Sequence, residues 1–211
     1  MPGRLILATR SADKAREIRQ ILAPELHDIV LSLTDAGVAE DPAEDHIEIF
    51  DSFLDNAHAK AGYFLRLTGS ATIADDSGIS VDALHGAPGV RSRRFAQRTD
   101  LSGSALDRAN NDRLLRELTG VPDERRGAHY TCAAVLHLPD GRRFAALGTC
   151  AGHIVLEPRG TSGFGYDPIF RVAHTDCTFG EMTAEEKHRF SHRARAFRAL
   201  APVIDHNTVS R

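Results

Sequence analysis

Short apolar runs alternate with amphipathic helical segments, and this feature most constrains the fold that the chain can adopt. Leu5–Ala8 is an apolar run that predicts a buried strand, and apolar residues three and four positions apart predict a helix directly after it. A second helical period over residues 52–68 is followed by a predicted strand at Ala71–Ala74. This alternation predicts an α/β fold. No repeat and no long linker divides the chain, so we expect one domain over residues 1–211.

The second half continues the same pattern. Ser104–Leu118 has the spacing of an amphipathic helix. Tyr130–Leu138 and Arg143–Leu156 read as strands joined by a hairpin turn at Pro139–Gly141. Thr183 and the glutamate three residues later form a capping-box pattern that predicts the start of another helix, and a last helix is expected after Ser191.

Composition excludes several classes of protein. Hydrophobic residues make up 42% of the 211, which is enough for a core and argues against a disordered chain. The formal net charge of −3 gives no overall attraction to nucleic acid or to an anionic membrane. The apolar runs are far shorter than the roughly 20 residues that cross a bilayer. We therefore expect neither a nucleic-acid nor a membrane partner.

The cysteines and the first residues indicate a compartment. The 3 cysteines form no CxxC pair, which argues against a disulfide framework and against a structural zinc site. The apolar run near the N-terminus is shorter than the apolar region of a signal peptide. We expect a cytoplasmic protein.

The loop after the first predicted strand is a candidate anion site. Thr9, Arg10 and Ser11 lie where the following helix begins, and Lys14 lies in its first turn. Unpaired backbone N–H groups and the helix dipole favour an anion at such a position, and a lysine adds charge. The alternative is an ordinary turn with a helix cap and a solvated lysine.

Asp75-Asp76-Ser77-Gly78 is a candidate metal site. It lies at the end of the strand predicted at Ala71–Ala74, and a second strand is predicted from Ile79. Two adjacent carboxylates in a strand point to opposite faces, so only one of them faces a given cleft. A carboxylate at the end of a strand suits Mg²⁺, and the acidic segment Glu40–Asp51 offers a second carboxylate. The alternative is a polar turn stabilised by its aspartates.

Two further clusters lie nearer the C-terminus. The glycine-rich segment Gly160–Asp167 places aromatic faces beside a flexible backbone, and its aspartate can accept hydrogen bonds from a nucleobase edge. Lys187, His192 and Arg193 are donors suited to phosphate or carbonyl oxygens. The alternatives are a glycine hairpin and a solvated charged face. Together the four clusters indicate a nucleoside triphosphate site.

At this point the motifs match a known family. The chain resembles the Ham1/inosine triphosphate pyrophosphatase family, whose bacterial members act on noncanonical purine nucleoside triphosphates. The resemblance rests on blocks in the family's order along nearly the whole chain: Leu7-Ala8-Thr9 with Lys14; Asp55-Asn56-Ala57 to Lys60; Ala74-Asp75-Asp76-Ser77-Gly78; Gly86-Ala87-Pro88-Gly89-Val90 with Ser92 and Arg94; Gly163-Phe164-Gly165-Tyr166-Asp167-Pro168-Ile169-Phe170; Glu181-Met182; Glu186-Lys187; and Ser191-His192-Arg193.

The resemblance implies a fold and an activity. The implied fold is ITPase/Maf-like α/β, with a long mixed central sheet flanked by helices and two lobes with an active-site cleft between them. The implied activity is Mg²⁺-dependent hydrolysis of ITP, dITP and XTP to the monophosphate and pyrophosphate, by a homodimer that cleanses the nucleotide pool.

The resemblance also implies roles for individual residues. Asp76 resembles the metal-linked carboxylate that activates water, with Asp75 beside it and Lys14 as a further catalytic group. Glu48 aligns best as the second metal ligand, and Glu44 is the runner-up. Arg10-Ser11 replaces the family's Gly-Asn, and Arg10 is expected to compensate for the shorter serine. The implied substrate contacts are Thr9, Arg10, Ser11, Lys14, Lys60, Ser77 and Arg94 along the phosphates, Phe164, Gly165, Tyr166 and Asp167 at the base, and Lys187, His192 and Arg193 around its 6-keto oxygen.

Two other functions stay open at this stage. One is a related pyrophosphatase that prefers other modified or pyrimidine triphosphates, which would differ in the base pocket. The other is a non-catalytic nucleotide sensor with a protein partner. The acidic and basic residues retained at Asp75, Asp76, Lys14 and Lys60 argue against a sensor, which has no need of a hydrolytic metal site.

Overall fold

The structure, a computed structural model, describes residues 4–22, 26 and 29–204. Its strands are β1 (Leu5–Leu7), β2 (Val30–Ser32), β3 (Ala71–Val81), β4 (Gly127–His137), β5 (Arg143–Ile154) and β6 (Phe170–Val172). Its helices are α1 (Ala12–Ile21), α2 (Phe53–Thr68), α3 (Gly103–Glu117), α4 (Ala184–Phe190) and α5 (His192–Leu200). No helix in these ranges is long and apolar enough to cross a membrane.

The strands form one mixed sheet in the order β2-β1-β3-β4-β5-β6. Strand β1 runs parallel to both of its neighbours, with Leu5 opposite Val30 on β2 and Ala71 on β3. At the other edge β6 is antiparallel to β5, with Phe170 opposite Ile154. The predicted α/β class, and the mixed sheet with flanking helices that the resemblance implied, are confirmed.

The chain forms two compact units. The first contains the described residues up to Asp76, Cys132–Gly148 and those from Arg193 onward, and the second contains Ser77–Thr131 and Thr149–His192.

Each unit has its own core. In the first unit Leu5 and Leu7 belong to one apolar cluster with Phe197 of α5, whereas Ile6 belongs to another with Phe64 of α2. This division follows from the period of a strand, in which successive side chains point to opposite faces of the sheet. In the second unit Leu114, Tyr130, Phe170, Phe179 and their neighbours form a separate cluster.

Local sequence signals fix the helix ends. Ser11 caps α1 by accepting a hydrogen bond from the backbone N–H of Lys14, and Ser52 caps α2 in the same way. Gly69 ends α2 at a φ of 67°, a left-handed conformation that glycine adopts without a steric penalty. The predicted capping box of Thr183 and Glu186 is present at the start of α4.

The alternative of a polar turn at Asp75–Gly78 is wrong. Strand β3 continues without interruption from Ala71 to Val81, so both aspartates lie within a strand. The register of β3 with β1 covers Ala71–Ile73, and β4 is its neighbour on the other side of the sheet. Membership of the sheet thus outweighs the local turn preference of the tetrapeptide. The predicted hairpin between β4 and β5 is confirmed by a 2.9 Å hydrogen bond from Leu138 N–H to the carbonyl of Arg142.

Two glycines of the same helix should respond oppositely to alanine. Gly69→Ala should lower the free energy of unfolding by about 1 kcal/mol, because alanine is strained at its positive φ. Gly62→Ala should raise it by up to about 1 kcal/mol, because this residue lies inside α2 and a β-carbon there meets its neighbours at 3.4 Å or more. Urea midpoints of both variants check this, and a stabilised Gly69→Ala would contradict the assigned helix end.

Candidate active site

Asp75 is the most deeply buried acidic group of the first unit, with no exposed surface. Its Oδ2 atom lies 3.3 Å from the Lys14 ammonium and accepts a hydrogen bond of 3.3 Å from Arg193 Nε. The Cys132 thiol lies 3.9 Å from the same oxygen. Burial alone would raise the pKa of Asp75, but Lys14, Arg193 and Lys60 outweigh it, and the pKa lies well below its usual value.

Arg193 is shared between two carboxylates. Its Nη1 donates to the carboxylate of Glu17 on α1 while its Nε donates to Asp75, and the arginine itself is only 2% exposed. Burial lowers the pKa of Arg193, and the two carboxylates raise it by more. The guanidinium is thus held in the first unit as the counter-charge of Asp75.

Asp76 lies in a different environment from its neighbour. Its Oδ2 accepts a 3.0 Å hydrogen bond from the amide of Asn56 on α2. Burial raises the pKa of Asp76, Lys14 and Lys60 lower it, and Glu48 raises it, with a net increase. Two adjacent carboxylates therefore differ in their affinity for a proton, a pattern that separates roles in acid–base chemistry.

Glu48 pairs with Lys60. The Lys60 ammonium donates to Glu48 Oε1 on the segment before α2, and Lys60 is 9% exposed. Burial raises the pKa of Glu48, but Lys60 and Lys14 lower it by more. Burial lowers the pKa of Lys60, which Glu48, Asp75 and Asp76 together raise above its usual value. Both side chains are therefore charged at neutral pH.

Glu44 is bound elsewhere. Arg10 donates to both of its carboxylate oxygens, at 3.0 and 2.6 Å, and also to the carbonyls of Val38 and Ala39. The Arg10 guanidinium thus ties the loop over 38–44 to the start of α1. This arrangement favours Glu48 over Glu44 as the carboxylate that accompanies Asp76.

The motif comparison assigned no role to Asn56. Its amide donates to the carbonyl of Phe50 at 3.1 Å and accepts from the N–H of Phe50 at 2.9 Å, besides its bond to Asp76. It thereby joins the segment that carries Glu48 to the strand that carries Asp76. The signal in the sequence was its place one helical turn before Lys60, within the block that begins at Asp55.

The loop after β1 makes local hydrogen bonds. Thr9 Oγ1 accepts from the N–H of Ser11 at 3.2 Å, and Ser11 Oγ accepts from the N–H of Lys14 at 3.3 Å. The helix-cap alternative is thus correct for Ser11. Lys14 is partly exposed at 19%, and its ammonium lies beside Asp75.

In the second unit Asp167 organises the glycine-rich loop. Its Oδ2 accepts from the N–H of Phe164 at 2.8 Å and from the ammonium of Lys187 at 2.7 Å. Both charged side chains are almost fully buried. Gly163 has a φ of 74°, and a β-carbon there would overlap the Asp167 carboxylate. Only glycine permits this close approach.

The next residues of this loop are fixed by hydrogen bonds, two of them with side chains that the sequence did not single out. The N–H of Gly165 donates to Asp107 at 2.9 Å, and its carbonyl accepts from Asn111 at 3.1 Å. The Tyr166 hydroxyl donates to the carbonyl of Ser92 at 2.7 Å, and burial raises the pKa of this phenol.

Aromatic rings surround the remaining donors of the second unit. The Lys187 ammonium lies 4.9 Å from the centroid of the Phe164 ring, a cation–π distance. The His192 imidazole stacks on Tyr130 with centroids 4.4 Å apart. Arg94 is exposed at the end of the short 3₁₀ helix Gly89–Arg94, and Ser77 is half-buried directly after Asp76.

The donor set indicates how a metal ion would be held. Within the described ranges no group of three His, Cys, Asp or Glu side chains forms a ready cation site. Asp76 and Glu48 are close enough for the Glu48 charge to raise the pKa of Asp76, so a cation would relieve their repulsion. Two carboxylates, completed by water and substrate phosphates, suit Mg²⁺.

Comparisons with known proteins agree with this chemistry. The model of the Ham1 family matches residues 5–203. A dITP/XTP pyrophosphatase of Streptomyces coelicolor is 45% identical over 209 residues, covering 95% of this chain and 96% of that protein. One of Bacillus licheniformis is 41% identical over 203 residues, covering 95% and 97%.

Solved structures give the same result. The Ham1 protein of Staphylococcus aureus superposes with a TM-score of 0.79 at 30% identity, over 95% of this chain and 97% of that one. A nucleoside-triphosphatase, or dITP/XTP pyrophosphatase, of Mycobacterium abscessus gives 0.71 at 39% identity, over 95% and 98%.

Replacing Lys187 tests the buried pair of the second unit. Lys187→Met should lower the free energy of unfolding by about 3–5 kcal/mol, because it leaves the Asp167 charge buried without its cation. Arg189→Met on the same helix should change it little, because the pair of Arg189 with Glu185 is exposed. Urea unfolding compares the two, and equal losses would contradict the buried pairing.

Proposed function

This chain belongs to the Ham1 family, and on that basis we propose that it hydrolyses ITP, dITP and XTP to the nucleoside monophosphate and pyrophosphate. It is a hydrolase of noncanonical purine nucleoside triphosphates. The observation that carries the proposal is the pair Asp75 and Asp76, which are adjacent in one strand. Lys14 and Lys60 act on both carboxylates, and the pKa of Asp75 is lowered whereas that of Asp76 is raised. We propose that residues 1–211 act as one enzyme domain, as the family match over 5–203 supports.

Asp76 and Glu48 would hold Mg²⁺. When bound, the ion neutralises phosphate charge and acidifies a water molecule. As a ligand of the ion, Asp76 would help to activate the water that attacks the α-phosphorus. Asp75 stays ionised, and its negative charge keeps Lys14 in place.

Lys14 and Lys60 supply positive charge along the phosphates. Their ammonium groups are fixed by Asp75 and Glu48, so they do not have to be ordered when the substrate binds. Charge that develops on the leaving pyrophosphate is then met by preorganised cations. Thr9, Ser11, Ser77 and Arg94 are proposed phosphate contacts on the family resemblance. Arg10, which replaces a glycine of the family, is proposed to compensate there for the shorter Ser11.

The loop of the second unit is suited to bind a purine base. Phe164 and Tyr166 supply rings, and Lys187 is a donor for a 6-keto oxygen. An adenine amino group at the same place would leave buried donors without partners, which gives strong discrimination. Asp167, Gly165 and His192 complete the proposed base site. The support for Arg193 there comes from the resemblance, whereas its contacts with Glu17 and Asp75 support a part in positioning Asp75.

We further propose a cytoplasmic homodimer. The family resemblance implies the dimer. The 3 cysteines are all free thiols, two of them buried, which is consistent with a reducing compartment.

A substrate panel tests the reaction. With Mg²⁺, XTP and dITP should release pyrophosphate, while ATP and GTP stay nearly inert. Asp76→Asn should lower kcat by about 100-fold or more, because it removes a carboxylate that would hold the ion and help to activate the water. The assay measures pyrophosphate and orthophosphate separately, because only the proposed reaction releases pyrophosphate. Turnover of pyrimidine triphosphates only would overturn the base site, and tight binding without turnover would favour a nucleotide sensor.

The second carboxylate has a separate test. Glu48→Gln should lower kcat about tenfold or more and raise the Mg²⁺ concentration for half-maximal rate, because it removes a metal ligand. Glu44→Gln should do neither, because Glu44 binds Arg10. Mg²⁺ titrations of initial rate compare them, and the reverse order would assign the metal to Glu44.

A further inference from the structure

The first unit has a groove that takes no part in the proposed reaction. We call it the α2 groove. Its volume is about 650 Å³, within the usual range for small-molecule sites. It is lined by Ala43, His46, Ile47, Ile49, Phe50, Asp55, His58, Ala59, Gly62, Tyr63, Arg66, His137 and Arg143.

The α2 groove is cationic on a chain whose net charge is −3. Arg66 and Arg143 line it, and among the described residues no carboxylate pairs with either of them. Asp55 is the single acidic side chain of the lining. Arg10 of the same unit, by contrast, is neutralised by Glu44. The groove thus attracts an anion.

Arg66 and a pair of histidines lie close together in the α2 groove. Gly62 has no side chain, and a β-carbon there would lie 3.4 Å from Arg66 Nη1 and 3.8 Å from the ring of His137. The His137 Nε2 lies 2.8 Å from His58 Nδ1, so the two rings share one hydrogen. Burial lowers the pKa of His137 to about 4, with further lowering by His58 and Arg143. The histidine pair accepts a proton more readily once an anion offsets these charges.

The rim of the α2 groove is apolar. Ile49 is 67% exposed and Phe50 is 45% exposed, although large apolar side chains are mostly buried elsewhere in the described chain. Tyr63 adds a second aromatic ring to the lining. Aromatic and aliphatic surface beside a cationic floor suits a ligand with a planar body and an anionic head.

We propose that the α2 groove is a second nucleotide site, which binds a nucleoside monophosphate. The phosphate would lie between Arg66 and Arg143, whose guanidinium groups form paired hydrogen bonds to phosphate oxygens. The base would lie against Phe50 and Tyr63, and Asp55 would accept a hydrogen bond from a hydroxyl or amino group.

The α2 groove adjoins the segment that carries the proposed metal ligand. Ile47, Ile49 and Phe50 line the groove, whereas Glu48 between them contacts Lys60. Asn56 holds the backbone of Phe50 and also binds Asp76. An occupant would therefore touch the residues on both sides of Glu48, which is the physical route by which this site would communicate with the reaction.

Binding of AMP to the whole protein tests the proposal. AMP is chosen because its 6-amino group mismatches the proposed base site. Calorimetry should detect one AMP per chain, and Arg66→Gln combined with Arg143→Gln should weaken it at least tenfold. The control pair Arg108→Gln and Arg198→Gln removes the same charge from exposed positions and should leave the affinity unchanged. Adenosine and inorganic phosphate should each bind at least tenfold more weakly than AMP.

Several outcomes would overturn this site. The first is that AMP does not bind at millimolar concentration. The second is that the groove variant binds AMP as tightly as the wild type. The third is that the control pair loses as much affinity for AMP as the groove variant. Binding of phosphate as tight as that of AMP would overturn the nucleotide and leave only an anion site. Urea midpoints establish that each variant is folded. If the double variant is unfolded, Arg66→Gln and Arg143→Gln are tested singly. Pyrophosphate release from XTP by the groove variant stays at the wild-type rate, so failure here is distinct from failure of the proposed reaction.

Discussion

The negative charge of Asp75 is the constraint on which the first unit depends. A carboxylate without any exposed surface is strongly unfavourable unless cations lie against it. Lys14 comes from α1 and Arg193 from the first turn of α5, so both helices must lie against β3 before the charge is compensated. Glu17 on α1 then binds the other side of Arg193. One buried charge thus specifies how three elements of the first unit assemble.

The same constraint separates the two adjacent aspartates. Asp75 has cations against it and stays ionised, whereas Asp76 has an amide from Asn56 and a raised pKa. Because successive residues of a strand face opposite ways, one dipeptide supplies two environments. The uninterrupted β3 makes this possible, since a turn at these residues would have allowed both side chains to reach water.

The helices, their caps and the β4–β5 hairpin were predictable, because they follow from apolar period and local hydrogen bonds. At Asp75–Gly78 the sequence left a strand end and a polar turn open, and the sheet extends the strand through all four residues. The contact of Glu17 with Arg193 spans 176 residues and has no local signature. Motifs pointed to Asp76, Lys60 and Asp167 and ranked Glu48 above Glu44 as the second metal ligand. The contact of Glu44 with Arg10, which no local pattern indicates, favours the same order.

The position of Arg193 has a consequence for synthesis on the ribosome. The first unit is built from three separate stretches, the last of which begins at this residue. Until that stretch emerges, the nascent polypeptide has Asp75 and Glu17 without the guanidinium that bridges them. The second unit, whose last stretch ends at His192, emerges before it. We therefore expect the first unit to complete its folding after the second.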